Sequence, residues 1–492
     1  MPPIRVRFSC KHRFRLALLV AVAALAVTAG RAAESTRAPG PLRPHPTNPR
    51  YFTDGTRGPD GSPRAVYLAG SHVWQNFQDT GHRLESGTEP PPVFDYPAFL
   101  DLLQRHGHNF TRLWRWEMPK WTERDTASKM TEYSRPHPWA RTGPGLAYDG
   151  QPKFDLTRFD DAYFARLRSR VQLAGERGIY VAVMLFELWG VTHVKNAWEF
   201  HPFAAANNVN GIEADENADG SGLEFHTLRD TATSRQVRSL QEAYVRRVIA
   251  TLNECDNVLY EIGNEGGTYT LAWQEHMVDV IHRAEAAQPK QHPAGITWMF
   301  HRDSERVAHG DNASLLRCRA DWISPGNDRV QDFDRNPPVE FPGRLIIADT
   351  DHLGWRSPRD HGWFWKQFCR GQHTLYLEWS YTSPTVGAAS REGMGQVVRR
   401  SRKVNLAAMQ PSATVASTTF ALAAPGREYL IYQPAAGAFS VDLTPSTATF
   451  SAAWFIPATG ESRPGADVSG GARREFTPPH SGPVVLHLKA KS

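Results

Sequence analysis

Short apolar runs alternate with amphipathic stretches along most of this 492-residue chain. Runs of roughly four to eight residues that are apolar throughout are typical of strands buried on both faces, and helical spacing separates most of these runs. This alternation predicts parallel β-α units, and eight such units close a (β/α)8 TIM barrel. An open, doubly wound sheet is the alternative, but no Gly-x-Gly-x-x-Gly follows the first strand. The predicted strands cover residues 66–69, 109–116, 179–186, 257–262, 295–300, 322–325, 344–348 and 374–377.

The pattern changes at about residue 412. Helical spacing gives way to short β-type runs, separated by pairs of Gly and Pro that favour turns. This predicts a C-terminal antiparallel β-sandwich. We therefore expect a flexible lead-in over residues 34–50, a catalytic barrel over 51–410 and a sandwich over 411–492. The predicted sandwich strands cover residues 428–432, 439–443, 449–456, 473–476 and 484–488.

Residues 1–33 have the pattern of a secretory signal peptide. A basic segment precedes the apolar run 16–27, which is too short to span a bilayer, and small residues follow it. Cleavage there predicts an exported protein, periplasmic or extracellular, with no membrane segment afterwards. Loss of the six basic residues of this segment turns the formal net charge of +5 into −1, so charge gives no support to nucleic-acid binding.

Cysteine usage excludes a disulfide scaffold, because only Cys255, Cys318 and Cys369 remain after the signal peptide. The spacing of Cys and His predicts neither structural zinc nor any cofactor. His106 and His108 flank a helix-to-strand turn and are expected at the surface. The pattern leaves the oligomeric state open.

Charged and aromatic residues stand where several apolar runs stop. Arg112 and Trp114 lie on the second strand, Glu187 and Trp189 end the third, and Asn264-Glu265 ends the fourth. In a closed barrel these C-terminal strand ends meet at one mouth, where such enzymes keep their chemistry. Glycosidic cleavage needs a protonated and an ionised carboxyl group facing one bond. The residues of the seventh and eighth strand ends are Asp349, Asp351, His352, Glu378 and Trp379.

In these features the chain resembles the clan A glycoside hydrolases. Those retaining barrels carry Asn-Glu after the fourth strand, an Arg on the second and often a Trp after the eighth, which correspond here to Asn264-Glu265, Arg112 and Trp379. More narrowly, the chain resembles bacterial secreted proteins in which an apiosidase-like barrel precedes a "putative collagen-binding" β-domain. The matching stretches are 66–72, 202–211, 348–352, 454–460 and 476–479.

The resemblance implies a glycoside hydrolase that acts on a poly- or oligosaccharide, with Glu265 as general acid/base. The usual nucleophile of the clan is Glu, whereas this chain has Asp349, with Asp351 two residues on and expected on the same face. As candidate nucleophiles we rank Asp349 first, Asp351 second and Glu378 third. We expect a retaining mechanism in preference to an inverting one. Candidate sugar contacts are Asn264, Arg112, His72, His352 and Glu378, and candidate stacking platforms are Trp114, Trp189 and Trp379.

Two other classes compete with this interpretation. A metal site could be formed by Asp349, Asp351 and His352 with His72, since carboxylate and imidazole bind divalent cations. However, metal-dependent barrels of the amidohydrolase type need His-x-His on the first strand, which is absent here. A non-catalytic carbohydrate- or matrix-binding protein is the second alternative, because Asp replaces the usual Glu.

Overall fold

A computed structural model describes residues 37–58, 60–83, 92–122, 131–194, 197–302, 308–310, 312–328, 331–339, 343–353, 361–378 and 380–491. The predicted signal peptide and Trp379 lie outside the described residues. Eight parallel strands form a closed barrel, which confirms the predicted fold class. They are β1 (Ala69–His72), β2 (Phe110–Leu113), β3 (Tyr180–Leu188), β4 (Val258–Asn264), β5 (Ala294–Thr297), β6 (Trp322–Ser324), β7 (Leu345–Asp349) and β8 (His373–Leu377).

All eight predicted strands are present, with shifted ends. β1 begins three residues later than the predicted 66–69, because Val66 forms an antiparallel bridge with Phe52 outside the barrel. β1 then pairs with β8, where Leu377 lies opposite His72. β4 extends as far as Asn264, which places that side chain and Glu265 at the mouth.

The barrel interior has an apolar layer below a polar one. Since side chains alternate along a strand, residues two apart point to the same side. The apolar layer comprises Leu68, Phe110, Tyr180, Ala182, Leu259, Trp322, Leu345, Ile347 and Leu375. Two residues further toward the C-terminal ends, the same side carries Arg112, Met184, Glu261, Ser324 and Asp349. The polar site therefore stands on a packed apolar floor.

Helices separate most of the barrel strands along the chain. Asp95, Asp160 and Thr231 cap the first, second and fourth helices with a side-chain oxygen that accepts a backbone N–H. The helices are α1 (Tyr96–Arg105), α2 (Asp161–Gly175), α3 (Trp189–His193), α4 (Ala232–Leu252), α5 (Leu271–Glu285), α6 (Asn312–Arg317), α7 (His361–Cys369) and α8 (Ala388–Ser401). None of the described helices is long and apolar enough to span a membrane.

Antiparallel units interrupt the β-α alternation, and the sequence pattern did not predict them. A three-stranded sheet pairs Asp79–Arg83, Thr131–Arg135 and Lys120–Thr122. A hairpin joins Trp139–Leu146 to Pro152–Phe159. Both lie between β1 and α2 in the chain, where exposed polar positions and turns hide the strand period.

The C-terminal region is antiparallel, as predicted. A seven-stranded sheet faces a two-stranded one, and their core contains Tyr429, Val441, Trp454 and Leu486. The strands are β9 (Gln410–Ser412), β10 (Ala421–Ala424), β11 (Glu428–Gln433), β12 (Phe439–Asp442), β13 (Thr449–Ile456), β14 (Glu461–Pro464), β15 (Val468–Ser469), β16 (Arg473–Phe476) and β17 (Val484–Ala490).

The barrel and this β-domain share one hydrophobic core. The Trp365 ring of α7 lies 6.4 Å from that of Tyr432 and 5.6 Å from that of Phe455, and all three are buried. Gln396 of α8 donates to the carbonyl of Pro457 at 2.8 Å. Residues 38–492 accordingly form one compact unit.

Ordered contacts begin inside the segment predicted as a lead-in. Leu42 is fully buried, and the Asn48 amide donates to the carbonyls of Leu406 and Met409 at 2.9 Å each. The surface position expected for His108 is wrong, because the residue is buried and its Nε2 lies 2.8 Å from the Arg391 carbonyl. Cys255, Cys318 and Cys369 all carry free thiols.

Candidate active site

Arg112 is the centre of the polar layer. Its Nε donates to Glu261 Oε2 at 2.8 Å, and its Nη2 contacts the other oxygen of that carboxylate. The same Nη2 donates to Asn264 Oδ1 at 2.7 Å. Nη1 lies 3.3 Å from Asp349 Oδ2 and equally far from Asp351 Oδ2. One guanidinium thus links β2, β4 and the end of β7.

Glu261 is the main residue of this network that the sequence interpretation missed. The run around it was taken as uniformly apolar strand, yet Glu261 has the same strand alternation as Leu259 and points into the barrel. Burial raises the pKa of Glu261, and the Arg112 guanidinium opposes that shift. A charged residue inside an apolar strand run was the available signal.

Asp349 and Asp351 converge, although not in the way predicted. β7 ends at Asp349, and Asp351 follows in a 3-10 turn, Thr350–Leu353, so the two are not successive residues on one strand face. The turn folds back so that the Asp351 N–H donates to Asp349 Oδ1 at 3.0 Å. Both carboxyl groups therefore meet the same guanidinium nitrogen.

Their surroundings move the two pKa values in opposite directions. Burial would raise the pKa of Asp349, but His72, whose Nε2 lies 3.2 Å from Oδ1, and the Arg112 guanidinium lower it below its ordinary value. Burial and the neighbouring Asp349 carboxylate raise the pKa of Asp351 to about 6. Asp349 is consequently the ionised member of the pair, and Asp351 is the member that holds a proton more readily.

The side chain of Asn264 is held in one orientation. Its Oδ1 accepts from Arg112 and lies 3.0 Å from His352 Nε2, while His352 Nδ1 lies 2.9 Å from Ser324 Oγ. Burial lowers the pKa of His352 to about 3, so the ring is neutral. Both ring nitrogens are engaged, and His352 therefore positions Asn264, whose NH2 group is left to donate elsewhere.

Glu265 has a strained backbone at the mouth of the barrel. Its φ is +46°, in the left-handed region that residues with a Cβ rarely adopt. The Glu265 N–H donates to Thr297 Oγ1 at 3.1 Å, and its carbonyl accepts from His193 Nε2 at 2.9 Å. The residue retains 8% of its surface, against 2% for Asn264 beside it. These contacts fix the direction in which the side chain leaves β4.

Aromatic rings form a continuous wall beside this network. The Arg112 guanidinium lies 4.7 Å from the Trp114 ring, which also stacks near His72 at 6.1 Å and packs against Trp74. Trp114 is 1% exposed, so its faces are occupied by protein in this conformation. Trp189 is half-buried at the start of α3, and its ring lies 5.9 Å from that of Trp121.

Glu378 is not part of the Arg112 network among the described residues. Its Oε2 accepts from Arg391 Nη1 at 2.8 Å, and its Oε1 accepts from the Ser380 N–H at 3.1 Å. Burial raises the pKa of Glu378, and Arg391 opposes the shift. These contacts bind the carboxylate to the segment between β8 and α8.

A second buried cluster supports the end of β3. Glu117 Oε2 accepts the N–H groups of Glu187 and Leu188 at 3.1 and 3.3 Å and lies 3.3 Å from His226 Nε2. Burial would raise the pKa of Glu117, but His226 and Arg115 lower it below its ordinary value. Leu188, at φ +57°, is held there in a left-handed conformation. The cluster therefore fixes the bulge through which β3 pairs with Asn264.

The side chains at the mouth do not form a metal-binding arrangement among the described residues. No group of three or more His, Cys, Asp or Glu side chains in the described residues is arranged to hold a metal ion. Both ring nitrogens of His352 already have partners, and Arg112 stands between the carboxylates. This arrangement gives the metal hypothesis no geometric support.

Solved structures of similar fold are glycoside hydrolases. A glycoside hydrolase family 5 protein from Bacteroides vulgatus superposes with a TM-score of 0.57 at 12% identity, covering 93% of this chain and 95% of the other. A second glycoside hydrolase has a TM-score of 0.54 at 12% identity, covering 92% and 98%. At this level of identity the likeness shows the fold, a TIM barrel followed by a β-domain.

Two family models match parts of the sequence. Residues 125–303 match a domain of unknown function, DUF6298, and residues 412–485 match a "putative collagen-binding domain of a collagenase". A comparison with curated protein sequences finds no significant match. The β-domain is thus similar in sequence to that collagen-binding family, while the barrel is similar in fold to the glycoside hydrolases.

Proposed function

We propose that the protein is an exported glycoside hydrolase that cleaves a poly- or oligosaccharide with retention of configuration. The observation that carries this proposal is that the Arg112 guanidinium and His72 hold Asp349 in its ionised form, while the same guanidinium binds Asn264, the neighbour of Glu265. A double displacement needs one carboxylate that stays ionised and one group that delivers a proton.

Asp349 is the nucleophile in this mechanism. The Arg112 guanidinium and His72 stabilise its ionised form, and they hold both oxygens toward the mouth. The carboxylate attacks the anomeric carbon while Glu265 protonates the departing glycosidic oxygen. Glu265 then takes a proton from the water that releases the sugar from Asp349.

The remaining residues bind the substrate or hold other residues in place. The NH2 group of Asn264 donates to a sugar hydroxyl, because Arg112 and His352 occupy its oxygen. Trp189 and Trp379 stack on sugar rings. His72, Trp114 and Glu378 shape the site around Asp349 and β8. Export through residues 1–33 and the narrower likeness to apiosidase-like barrels belong to the same proposal.

The direct test replaces the nucleophile and supplies a substitute for it. Asp349→Gly should abolish turnover of an aryl glycoside, and azide should partly restore it by attacking in place of the lost carboxylate. Asp351→Gly is the matched comparison on the same guanidinium and should gain nothing from azide. Rescue of Asp351→Gly alone would move the nucleophile to Asp351.

A panel of plant and microbial polysaccharides gives the broader test. Released reducing sugars, with the anomer identified by NMR in the first minutes, would establish both substrate and retention. Binding to a glycan without any release, in wild type and across the panel, would instead favour a non-catalytic binding protein.

A further inference from the structure

The segment between α3 and α4 contains a spaced set of oxygen-bearing side chains. Asp215, Asn217 and Asp219 occupy alternate positions and Gly220 follows, which is the Asp-x-Asn-x-Asp-Gly pattern of calcium loops. Gly220 has φ +79°, and its N–H donates to Asp215 Oδ2 at 2.7 Å. A glycine at this sixth position allows the sharp turn that brings the earlier side chains together.

The strongest sign of a ligand is an unpaired oxygen on Asp215. The residue is only 6% exposed, yet its Oδ1 is buried and has no hydrogen-bond partner. The side chain points into the loop, because its other oxygen binds Gly220 and its carboxyl group comes within hydrogen-bonding reach of that of Asp219. Two acceptors that face each other need a cation or a proton between them.

No protein cation fills this role among the described residues. The nearest guanidinium along the segment, that of Arg229, lies 3.2 Å from Glu224 and 3.7 Å from Glu216 instead. The exposed side of the loop, at Asn217 and Asp219, is open to solvent. Water can therefore complete the coordination of an ion from that side.

We propose that the loop Asp215–Ser221 binds one calcium ion. The donors are carboxylate oxygens of Asp215 and Asp219, the amide oxygen of Asn217 and the backbone carbonyl of Ser221. Calcium suits this set, since it accepts carboxylate, amide and carbonyl oxygens together, whereas zinc prefers nitrogen and sulfur. Only two of these donors are acidic side chains.

The loop departs from the full calcium-binding pattern at its end. The twelfth position, where a bidentate Glu is usual, is His226, and that side chain lies against Glu117. Fewer charged ligands give weaker binding, so we expect a dissociation constant of about 10⁻⁴–10⁻³ M, the range of extracellular calcium modules.

A bound calcium ion would indirectly stabilise the Glu117 cluster, which supports the end of β3. Gly222 follows the loop at φ +66° and packs so closely on Trp198 that a Cβ there would lie 2.0 Å from the ring. The next residues form the 3-10 helix Leu223–His226, which places His226 against Glu117. Calcium is therefore expected to order this segment, independently of whether the barrel cleaves glycosides.

The test measures binding and melting, not turnover. With the purified full-length protein, about 10 mM Ca²⁺ should raise the apparent Tm by about 2 °C or more over EGTA. Tb³⁺ should give tryptophan-sensitised luminescence that Ca²⁺ removes. Asp219→Asn, at an exposed side chain, and Asp215→Asn should both lose the shift and the luminescence.

Asp230→Asn is the matched control, because Asp230 is an exposed carboxylate of the same segment that pairs with Arg235. It should keep the full response to Ca²⁺. The proposal is overturned if wild type shows no shift, if Asp219→Asn responds like wild type, or if Mg²⁺ at the same concentration stabilises as much as Ca²⁺.

Discussion

At the scale of single residues, Arg112 decides how the mouth is organised. It contacts three carboxyl groups and one amide, which come from β4, β7 and the turn after β7, and it is almost completely buried. Removal of one partner from a buried ion pair leaves an uncompensated charge, which costs more than the pair itself contributes. Each carboxylate around Arg112 therefore depends on the others for its protonation state.

Glu265→Gln tests the proton donor. The variant keeps the shape of the side chain but cannot release a proton, so turnover of a natural glycan should fall roughly 10²–10⁴-fold. Aryl glycosides with acidic phenols should lose much less, because their leaving groups need no proton. Steady-state kinetics on both substrates give the comparison, with the exposed Glu176→Gln as control. A variant as active as wild type on glycan would remove Glu265 from the mechanism.

Asp351→Asn tests the raised pKa by its effect on stability. A carboxyl group whose pKa is raised to about 6 binds its proton more tightly when folded, so it favours folding at low pH, and that advantage is lost as the pH rises from about 4 to 6. The variant should thus be more stable than wild type at pH 7.5, by about 1–3 kcal/mol, and similar near pH 4. Urea unfolding at the two pH values measures this. An equal stability difference between the variant and wild type at both pH values would contradict the raised pKa of Asp351.

The sequence predicted some of these residues and missed others for physical reasons. Asn264, Glu265 and Arg112 stand at strand ends, where an abrupt change from apolar to polar is visible in one dimension. Glu261 lies within a strand, and its importance depends on a partner far away in the chain. Trp114 looked like a platform because aromatic identity is visible in a sequence, whereas its burial is not.

At the scale of elements, the end of β3 depends on Glu117. This carboxylate accepts two backbone N–H groups where Leu188 is strained, and it is 1% exposed. The strain at Leu188 and at Glu265 is stored in neighbouring strand ends, which pair directly. A loosened β3 end is therefore expected to disturb the position of Asn264.

Glu117→Ala should lower the free energy of unfolding by about 3–5 kcal/mol at pH 7, because the change leaves buried donors and the charge of Arg115 without a partner. The pKa of Glu117 is below its ordinary value, so its contribution is present above about pH 4.5 and is lost as the pH falls toward the folded-state pKa. Denaturant midpoints at pH 7 and at about pH 3 check this. Glu176→Ala, at an exposed helix end, is the control, and equal losses in the two variants would contradict the role.

The sequence predicted the helices and strands whose hydrophobic period is visible in it. Buried parallel strands and capped helices appear as apolar runs and spacings, so eight strands and most helices followed from the sequence. The sheet and hairpin after β1 and β2 are partly exposed, and turns break their pattern. The 3-10 turn at Asp351 contains a hydrogen bond from the Asp351 N–H to the Asp349 side chain. Residue propensities do not predict such a contact.

At the scale of the whole molecule, the barrel and the β-domain fold as one body. Removal of residues 412–492 would expose the α7 face that carries Trp365, which is fully buried against Tyr432 and Phe455. We expect the truncated barrel to be poorly soluble and to melt well below the full chain. Soluble yield and thermal melting measure this. Leu486→Ala, inside the β-domain core, is a control that weakens the domain without removing the cover. A stable, active truncated barrel would make the β-domain an independent module.

The shared guanidinium has a further consequence for charge balance. Arg112 offers one positive charge to Glu261, Asp349 and Asp351, so with all three ionised the base of the mouth would carry a surplus of two negative charges. Part of that surplus is removed when protons bind to the groups with raised pKa. The negative charge that remains attracts positively charged ligands. A ligand that is cationic, or that becomes cationic as a bond breaks, is bound more tightly there than a neutral ligand of the same shape.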